Sequence, residues 1–494
     1  MNSVKKIIFL VFIILISLIF GIPFLGWELL YKFTPINDVI KNYIIQNNFI
    51  LQENLLKNLY LVFNLIDYYF LFLTVYTTII AIFGFKVKHV PKDLADKIIQ
   101  QGYINNFVLL ICAHNEEKII ANSLEEMIKT NYPRENLKIV VVCDNCTDNT
   151  YHEAYKIANK YPSTIFVLQR FDPNKKGKPF AVKFGLNWIN ENLKEFYTAI
   201  SIADADNIYH RDFFKVMNYK IFSGSEIVQG YLGVKNPYDS FVSASGMYTY
   251  SILPRFYFTA RQNLGMSTTL GGTGFVITKK TLEELKWDMK SLVEDFEFST
   301  KAVIAGKKID FAYDAVTYDE KPTTMEASIK QRSRWQQGHW NVAFRMTPKL
   351  IYKMIFQPTK IHWPSAFDYL LYLWSPGRII IYIWFFTTFL LLLTSDFFST
   401  NGNTVSNLFI ISWEIRLFII LIPRILEYIY AILEGFLWYK IPQVIFFYTV
   451  FFAGWIPGSI KGLFTWPFQG NWDKTEHKVV ANLESLEKIS KPFS

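Results

Sequence analysis

Apolar positions gather into five long runs at the two ends of the chain. Ile7 to Leu30 is almost unbroken and follows Lys5 and Lys6, and Leu59 to Phe85 carries Asp67 as its only charge. Arg378 to Phe398, Leu408 to Gly435 and Gln443 to Phe464 complete the set. A helix of about 20 mostly apolar residues crosses a bilayer, so the first, second, third and fifth runs predict transmembrane helices. The fourth contains Glu414, Arg416, Arg424, Glu427 and Glu434; such charges must face protein or a wet cavity. The first run is long and lacks a small-x-small cleavage site, which argues against a signal peptide.

From Lys86 to Arg345 the pattern changes. Ile104 to Ala113, Leu137 to Cys143, Thr164 to Gln169 and Thr198 to Ala203 are short apolar stretches that predict buried strands. Glu117 to Thr130 and Phe180 to Asn192 lie between them with helical spacing. This alternation predicts an α/β domain with a mostly parallel sheet covered on both faces. The organisation read from the pattern is a membrane region with two crossings at 1–85 and the α/β domain at 86–345. Interfacial helices at 346–376, C-terminal transmembrane helices at 377–464 and a tail at 465–494 follow.

Composition adds exclusions. Of 494 residues, 51% are hydrophobic, 18% aromatic and 19% charged, with 23 Gly and 3 Cys. Disorder, a collagen-like chain and a disulfide scaffold are ruled out. The net charge is +9. Lys5 and Lys6, then Lys86, Lys88 and Lys92, flank the first two crossings and place the N-terminus and the α/β domain in the cytosol. Arg345, Lys349, Lys353 and Lys360 suit an anionic inner leaflet. No basic stripe carries a nucleic-acid motif, so nucleic acid is not expected as a partner. Cys143 and Cys146 form a CxxC pair without a second pair of ligands, which argues against zinc.

Parallel sheets bind ligands at the carboxyl ends of their strands, and polar groups cluster there. His114, Asn115 and Glu116 follow the first predicted strand, and Asp144 follows the second. Acidic helix starts and Asn/Asp turns account for each alone; two in tandem point to a nucleotide pocket. Asp204-Ala205-Asp206 ends the fourth strand, where two carboxylates can share a hard cation such as Mg²⁺ or Mn²⁺. Glu294-Asp295 precedes a predicted helix and offers a general base for an acceptor hydroxyl. Gln331, Arg334 and Trp335 combine a guanidinium fork for phosphate with a flat face for sugars or bases. A basic amphipathic helix on the membrane surface explains the same residues.

Taken in order, Asp144, Asp204-x-Asp206, Glu294-Asp295 and Gln331-x-x-Arg334-Trp335 resemble the D, DxD, TED and QxxRW motifs of membrane-embedded family-2 glycosyltransferases. That family includes cellulose, chitin and hyaluronan synthases. His114-Asn115-Glu116, Gly177-Lys178, Gln229 and Gly271-Gly272-Thr273-Gly274-Phe275 add smaller matches. Val293 stands where Thr is usual, Pro179 where a second glycine often follows the lysine, and the glycine-rich stretch lacks the cysteine of cellulose and hyaluronan synthases.

The resemblance implies a GT-A (Rossmann-like) cytosolic domain flanked by transmembrane helices, a UDP-sugar donor and inversion at the anomeric carbon. By the same resemblance, His114, Asn115, Glu116, Asp144, Lys178, Asp204, Gln331, Arg334 and Trp335 bind the donor. Asp206 binds Mg²⁺ or Mn²⁺. Asp295, with Glu294 beside it, is catalytic. Gly272, Thr273, Gly274 and Trp335 border the acceptor. The expected function is a processive synthase in the cell membrane that moves a hexose or N-acetylhexosamine onto a growing polysaccharide and passes it across. The alternative is transfer of one sugar to a membrane lipid. A transporter or receptor is the reading if Asp206, Asp295 and Arg334 do not converge. Trp384, Trp413, Glu414, Arg416, Trp438 and Trp455 are candidates to line a polymer path, against the ordinary interfacial belt. Five crossings would leave the tail outside, yet Trp472 to His477 looks like the cytosolic tails of similar proteins. A re-entrant run, a further crossing in 365–374 or an external tail would each resolve this.

Overall fold

The computed structural model describes residues 53–378, 383–385, 387–389, 411, 413–437, 439, 451, 453–469 and 477–489. The first apolar run, most of the third and part of the fifth lie outside the described residues. The chain divides into two compact units, 1–78 with 380–425 and 79–379 with 426–494.

In the first unit the Asp67 and Arg416 side chains are wholly buried and paired with each other. Arg416 also donates to Thr388 Oγ1 at 2.8 Å and to the Ile411 carbonyl at 3.0 Å. Of the two settings its charge allows, protein or a wet cavity, Arg416 takes the first, so as a candidate to line a polymer path it is turned inward. Its donors are turned inward, as a charge removed from water requires. The side chains of Trp413 and Glu414, and all of Trp438, lie outside the described residues. Among the described residues, Leu61–Ile82 is the one helix long and apolar enough to cross a membrane.

The second unit is built on an eight-stranded sheet in the order β3-β2-β1-β4-β7-β6-β8-β5. Its strands are β1 (Phe107–Ala113), β2 (Leu137–Asp144), β3 (Ile165–Arg170), β4 (Ala199–Asp204), β5 (Ile208–Tyr209), β6 (Ile227–Val234), β7 (Phe275–Thr278) and β8 (Ile309–Asp319). The strands β3, β2, β1 and β4 run parallel. The strand β7 runs antiparallel to both β4 and β6, and β6 pairs parallel with β8. Alternate residues face opposite sides of a strand, and the core divides accordingly. Phe107, Leu109 and Ile111 pack on one side with helices Ile120–Met127, Thr150–Lys160 and Phe213–Phe222. Val108 and Leu110 pack on the other with Ala181, Val182, Leu186 and Ile189 of helix Lys178–Asn192. Burial on both faces explains why these strands read as continuous apolar runs.

The four predicted strands are present: β1, β3 and β4 start later than expected, β2 starts at Leu137 as expected, and β2, β3 and β4 each run one residue further; four more strands follow them in the chain. The helix bearing Gln331 runs without a break from Met325 to Phe356, so the limit placed at residue 345 falls inside one element. Helix Trp363–Leu373 follows.

The pairing of β6 with β8 shifts register between Gly230 and Tyr231. There the backbone oxygens of Ala315 and Gly274 crowd Gly230: a Cβ would lie 2.4 Å and 2.8 Å from them. Backbone cannot yield as a flexible side chain does. Gly230→Ala is expected to destabilise the domain by about 3 kcal/mol, read as a lowered midpoint of thermal unfolding.

Candidate active site

The chain runs from β1 to β2 and β3 on one side, then crosses to β4 on the other side of β1. A crevice opens outside the carboxyl ends of parallel strands at such a reversal. Here it is a cavity of about 520 Å³. Its wall includes His114 and Glu116 after β1, Asp144 at the end of β2, and Asp204 and Asp206 at and beyond the end of β4. Lys178, Gly272, Thr273, Glu294, Asp295, Gln331, Arg334 and Trp335 complete the predicted set on that wall.

Asn115 and Gly274 do not line it. Asn115 has φ +56° and binds Thr147 through both side-chain atoms, with Thr147 N–H donating at 2.8 Å and Asn115 Nδ2 donating at 3.1 Å. It ties two strand-end turns together. Gly274 has φ +62° and accepts the Gly230 N–H at 2.8 Å. It sits in the turn just before β7, against β6.

Lys178 stands at the centre of the charges. It begins helix Lys178–Asn192 after Gly177, whose φ of +112° only glycine adopts easily. Pro179 is tolerated in the first turn, where the missing N–H has no partner to lose. The Lys178 ammonium lies 2.7 Å from Asp204 Oδ1, 2.7 Å from the Gly272 carbonyl and 3.7 Å from Glu294 Oε1. Burial alone would favour the neutral amine, but Asp204 and Glu294 hold its pKa above the ordinary lysine range.

Glu294 and Asp295 open helix Glu294–Ile304. Burial pushes Glu294 up to about 7; Lys178 opposes this and Asp295 adds to it. Asp295 is likewise raised by burial, although the Phe296 N–H and Lys178 favour its charged form. A Cβ on Gly272, at φ +83°, would stand 3.6 Å from Asp295 Oδ2. The bare glycine thus leaves the front of this carboxylate open.

Asp206 differs. It is buried, yet its pKa is lowered, because His477, Lys235, the Glu320 N–H and Lys321 outweigh burial. The Glu320 N–H donates to its Oδ2 at 2.9 Å, and Lys235 Nζ donates to its carbonyl at 2.7 Å. An ionised carboxylate on the cavity wall fits a hard divalent cation. Among the described residues no group of three or more His, Cys, Asp or Glu side chains forms a protein-only cage.

Asp144 is paired with Arg170 inside the protein. The His114 ring bonds the Asp144 carbonyl at 2.7 Å. The Arg334 Nε is buried without a hydrogen-bond partner among the described residues. Buried donors are seldom left so, and an anionic ligand would satisfy it. Trp335 lies 6.2 Å from Trp455, centroid to centroid.

Sequence reasoning missed Arg170, Glu320, Tyr250, Tyr257, His339 and Tyr372, all except Arg170 on the cavity wall. His477 also lines it; in the sequence it closes the Trp472 to His477 stretch, which bears only on the side of the tail. Burial pushes His339 down to about 3, so it is neutral.

Residues 105–338 match the family model described as Glycosyltransferase like family 2. The Bacillus subtilis protein named Probable glycosyltransferase YdaM is 28% identical over 240 residues, covering 48% of this chain and 56% of that protein. The chain thus spans little more than half of that relative. Poly-beta-1,6-N-acetyl-D-glucosamine synthase of Staphylococcus epidermidis is 24% identical over 373 residues, covering 72% of this chain and 85% of that one. Among solved structures, a mannosyltransferase from Pyrobaculum calidifontis in complex with GDP-Man and Mn²⁺ superposes with a TM-score of 0.50 at 16% identity. That likeness covers 81% of this chain and 99% of the other. The α/β unit therefore has a GT-A-like glycosyltransferase fold.

The raised carboxylates set a pH dependence. If this pair supplies a base, the base must be ionised, and turnover then rises with pH through the raised values of the Glu294–Asp295 pair. Glu294→Gln removes a like charge and should move the acid limb of the rate profile to lower pH. A limb that stays in place would exclude coupling between the two.

Proposed function

We propose that the chain is an inverting, metal-dependent glycosyltransferase that moves a hexose or N-acetylhexosamine from a UDP-sugar to a hydroxyl of a growing polysaccharide. The observation that carries this reading is a single cavity that holds the DxD carboxylates, Lys178, an unpartnered Arg334 donor and the elevated Glu294–Asp295 pair. A polymer product is supported by the name of the staphylococcal relative, a poly-beta-1,6-N-acetyl-D-glucosamine synthase. A nucleotide-sugar donor with a divalent cation is supported by the GDP-Man and Mn²⁺ bound to the archaeal mannosyltransferase.

Asp295 takes the proton of the acceptor hydroxyl as its oxygen attacks the anomeric carbon from the face opposite the leaving group. The glycosidic bond to the diphosphate breaks, the configuration inverts, and Asp295 keeps the proton until it passes to water. Burial raises the basicity of Asp295 for this task. Arg334 and Lys178 stabilise the charge that grows on the departing nucleoside diphosphate. Asp206 would hold Mg²⁺ or Mn²⁺, which supplies further positive charge to the same diphosphate. Asp144 and His114 border the nucleoside side, and Gln331, Gly272, Thr273 and Trp335 border the acceptor and donor sugars.

The chain is read as a multi-pass protein of the cell membrane with this site on the cytosolic side. Leu61–Ile82 supports one crossing. Ile351, Tyr352, Ile355, Phe356 and Trp363 are exposed apolar groups near Lys349, Lys353 and Lys360, as an element seated on an anionic leaflet requires.

The test is a donor screen on the purified full chain in detergent with Mn²⁺, reading nucleoside diphosphate release and product mass together. A high-mass polymer is expected; a single lipid-soluble product would replace the polymer reading with lipid glycosylation. Asp295→Asn should lower turnover at saturating donor by about 10³-fold with nucleotide affinity nearly unchanged. Normal turnover with lost affinity would contradict the role of base.

A further inference from the structure

Glu294 and Asp295 are reached through residues 286–293, a stretch without regular structure between helices Lys279–Leu285 and Glu294–Ile304. Ladder bonds do not hold such a stretch, so its backbone donors must find partners elsewhere. Three consecutive donors find them on side chains. The N–H groups of Lys290 and Ser291 both donate to Glu297 Oε2, at 2.9 Å and 2.7 Å. The Leu292 N–H donates to Gln469 Oε1 at 2.8 Å. Leu292 and Val293 then form part of the cavity wall, directly before the two carboxylates.

Glu297 stands one turn along the same helix and is buried. Val293 at the helix start offers no side-chain acceptor, so the entry of the chain is set by Glu297 reaching back. A buried carboxylate needs a cation, and Arg345 supplies it, with Nη2 2.5 Å from Glu297 Oε1. Arg345 Nε donates to Asn341 Oδ1 at 2.8 Å, and Asn341 Nδ2 donates to the Trp466 carbonyl at 3.0 Å. Gln469 Nε2 donates to that same carbonyl at 2.7 Å. Both anchors therefore close on one frame, made of the helix that carries Arg334 and the turn after helix Trp455–Thr465. Glu297, Arg345 and Gln469 stand outside the cavity wall.

We propose that Glu297 is a positioning residue for Asp295, assisted by Gln469. Together they hold the backbone of Lys290, Ser291 and Leu292 and so fix where Asp295 meets the acceptor. Glu297 touches no substrate and acts through Asp295. The inference rests on the reading of Asp295 as the base.

The test is a double-mutant cycle on the full chain in detergent. Turnover is read as UDP release from the UDP-sugar selected by the donor screen, and nucleotide affinity is read with UDP and Mn²⁺. A misplacement of about 1 Å costs about 10²-fold, so Glu297→Ala should lower turnover by that factor with UDP affinity nearly unchanged. Added to Asp295→Asn, it should cost less than about twofold more, because no base is left to misplace. Glu297→Gln keeps an oxygen for the two N–H groups and should restore turnover to within about tenfold of the unaltered chain. Gln469→Ala should repeat the pattern with a loss of about fivefold, which keeps the cycle decisive where Glu297→Ala does not fold. Equal losses in both backgrounds, a matching loss of UDP affinity, or a Gln variant as poor as the Ala would overturn the positioning role. Unchanged turnover in Glu297→Ala would overturn that role alone; unchanged turnover in Asp295→Asn would overturn the base reading with it. Amide hydrogen exchange at Lys290 and Ser291 should be faster in Glu297→Ala, and equal rates would refute the anchor.

Discussion

One ammonium holds the site together. Lys178 reaches the strand-end carboxylate Asp204, the carbonyl of Gly272 in the glycine-rich loop and Glu294 at the start of the helix that carries Asp295. These groups come from four separate stretches of chain. Each has unfavourable neighbours without the lysine: the buried Glu294 close to the half-exposed Asp204, and a loop at positive φ. A buried charge is tolerable only when it is paired and hydrogen-bonded, and here the pairing is mutual. The lysine is kept charged by the acids, and the acids are kept close by the lysine.

The rest of the site inherits this order. Glu294 is buried against Lys178 while Asp295 faces the open side of Gly272. The two adjacent carboxylates therefore differ in setting: one is bound to the scaffold and the other faces open space in the cavity. The Val293 side chain packs near Gly338 of the long helix, where a Cβ would lie 2.9 Å from it. An apolar contact thus stands at the start of this helix where a Thr cap is usual among the proteins it resembles. Asp206 is served by a different set, Lys235, Lys321, Glu320 and His477, and so titrates in the opposite sense from Asp295.

The parallel half of the sheet was legible because β1, β2 and β4 are buried on both faces and read as unbroken apolar runs. The strands β6, β7 and β8 were not. Gly230 and Gly233 interrupt β6, β7 has four residues, and β8 contains Asp310 and Asp314. Those aspartates are satisfied by Ser225 and by the Val90 N–H, partners that only the fold brings near. The same limit hid Arg170 behind Asp144 and concealed the insertion of His477. Motif residues carried the charges that mark the cavity, whereas the aromatic wall of Tyr250, Tyr257 and Tyr372 has no spacing that separates it from ordinary core.

The most direct test of this account is turnover at saturating donor in Lys178→Met, with donor affinity measured on the same protein. The methionine keeps the length of the side chain and removes its charge. If the ammonium organises the site, turnover should fall by at least about 100-fold with the fold retained. Turnover within a few-fold of the unaltered chain would contradict the claim that Lys178 holds the catalytic groups together.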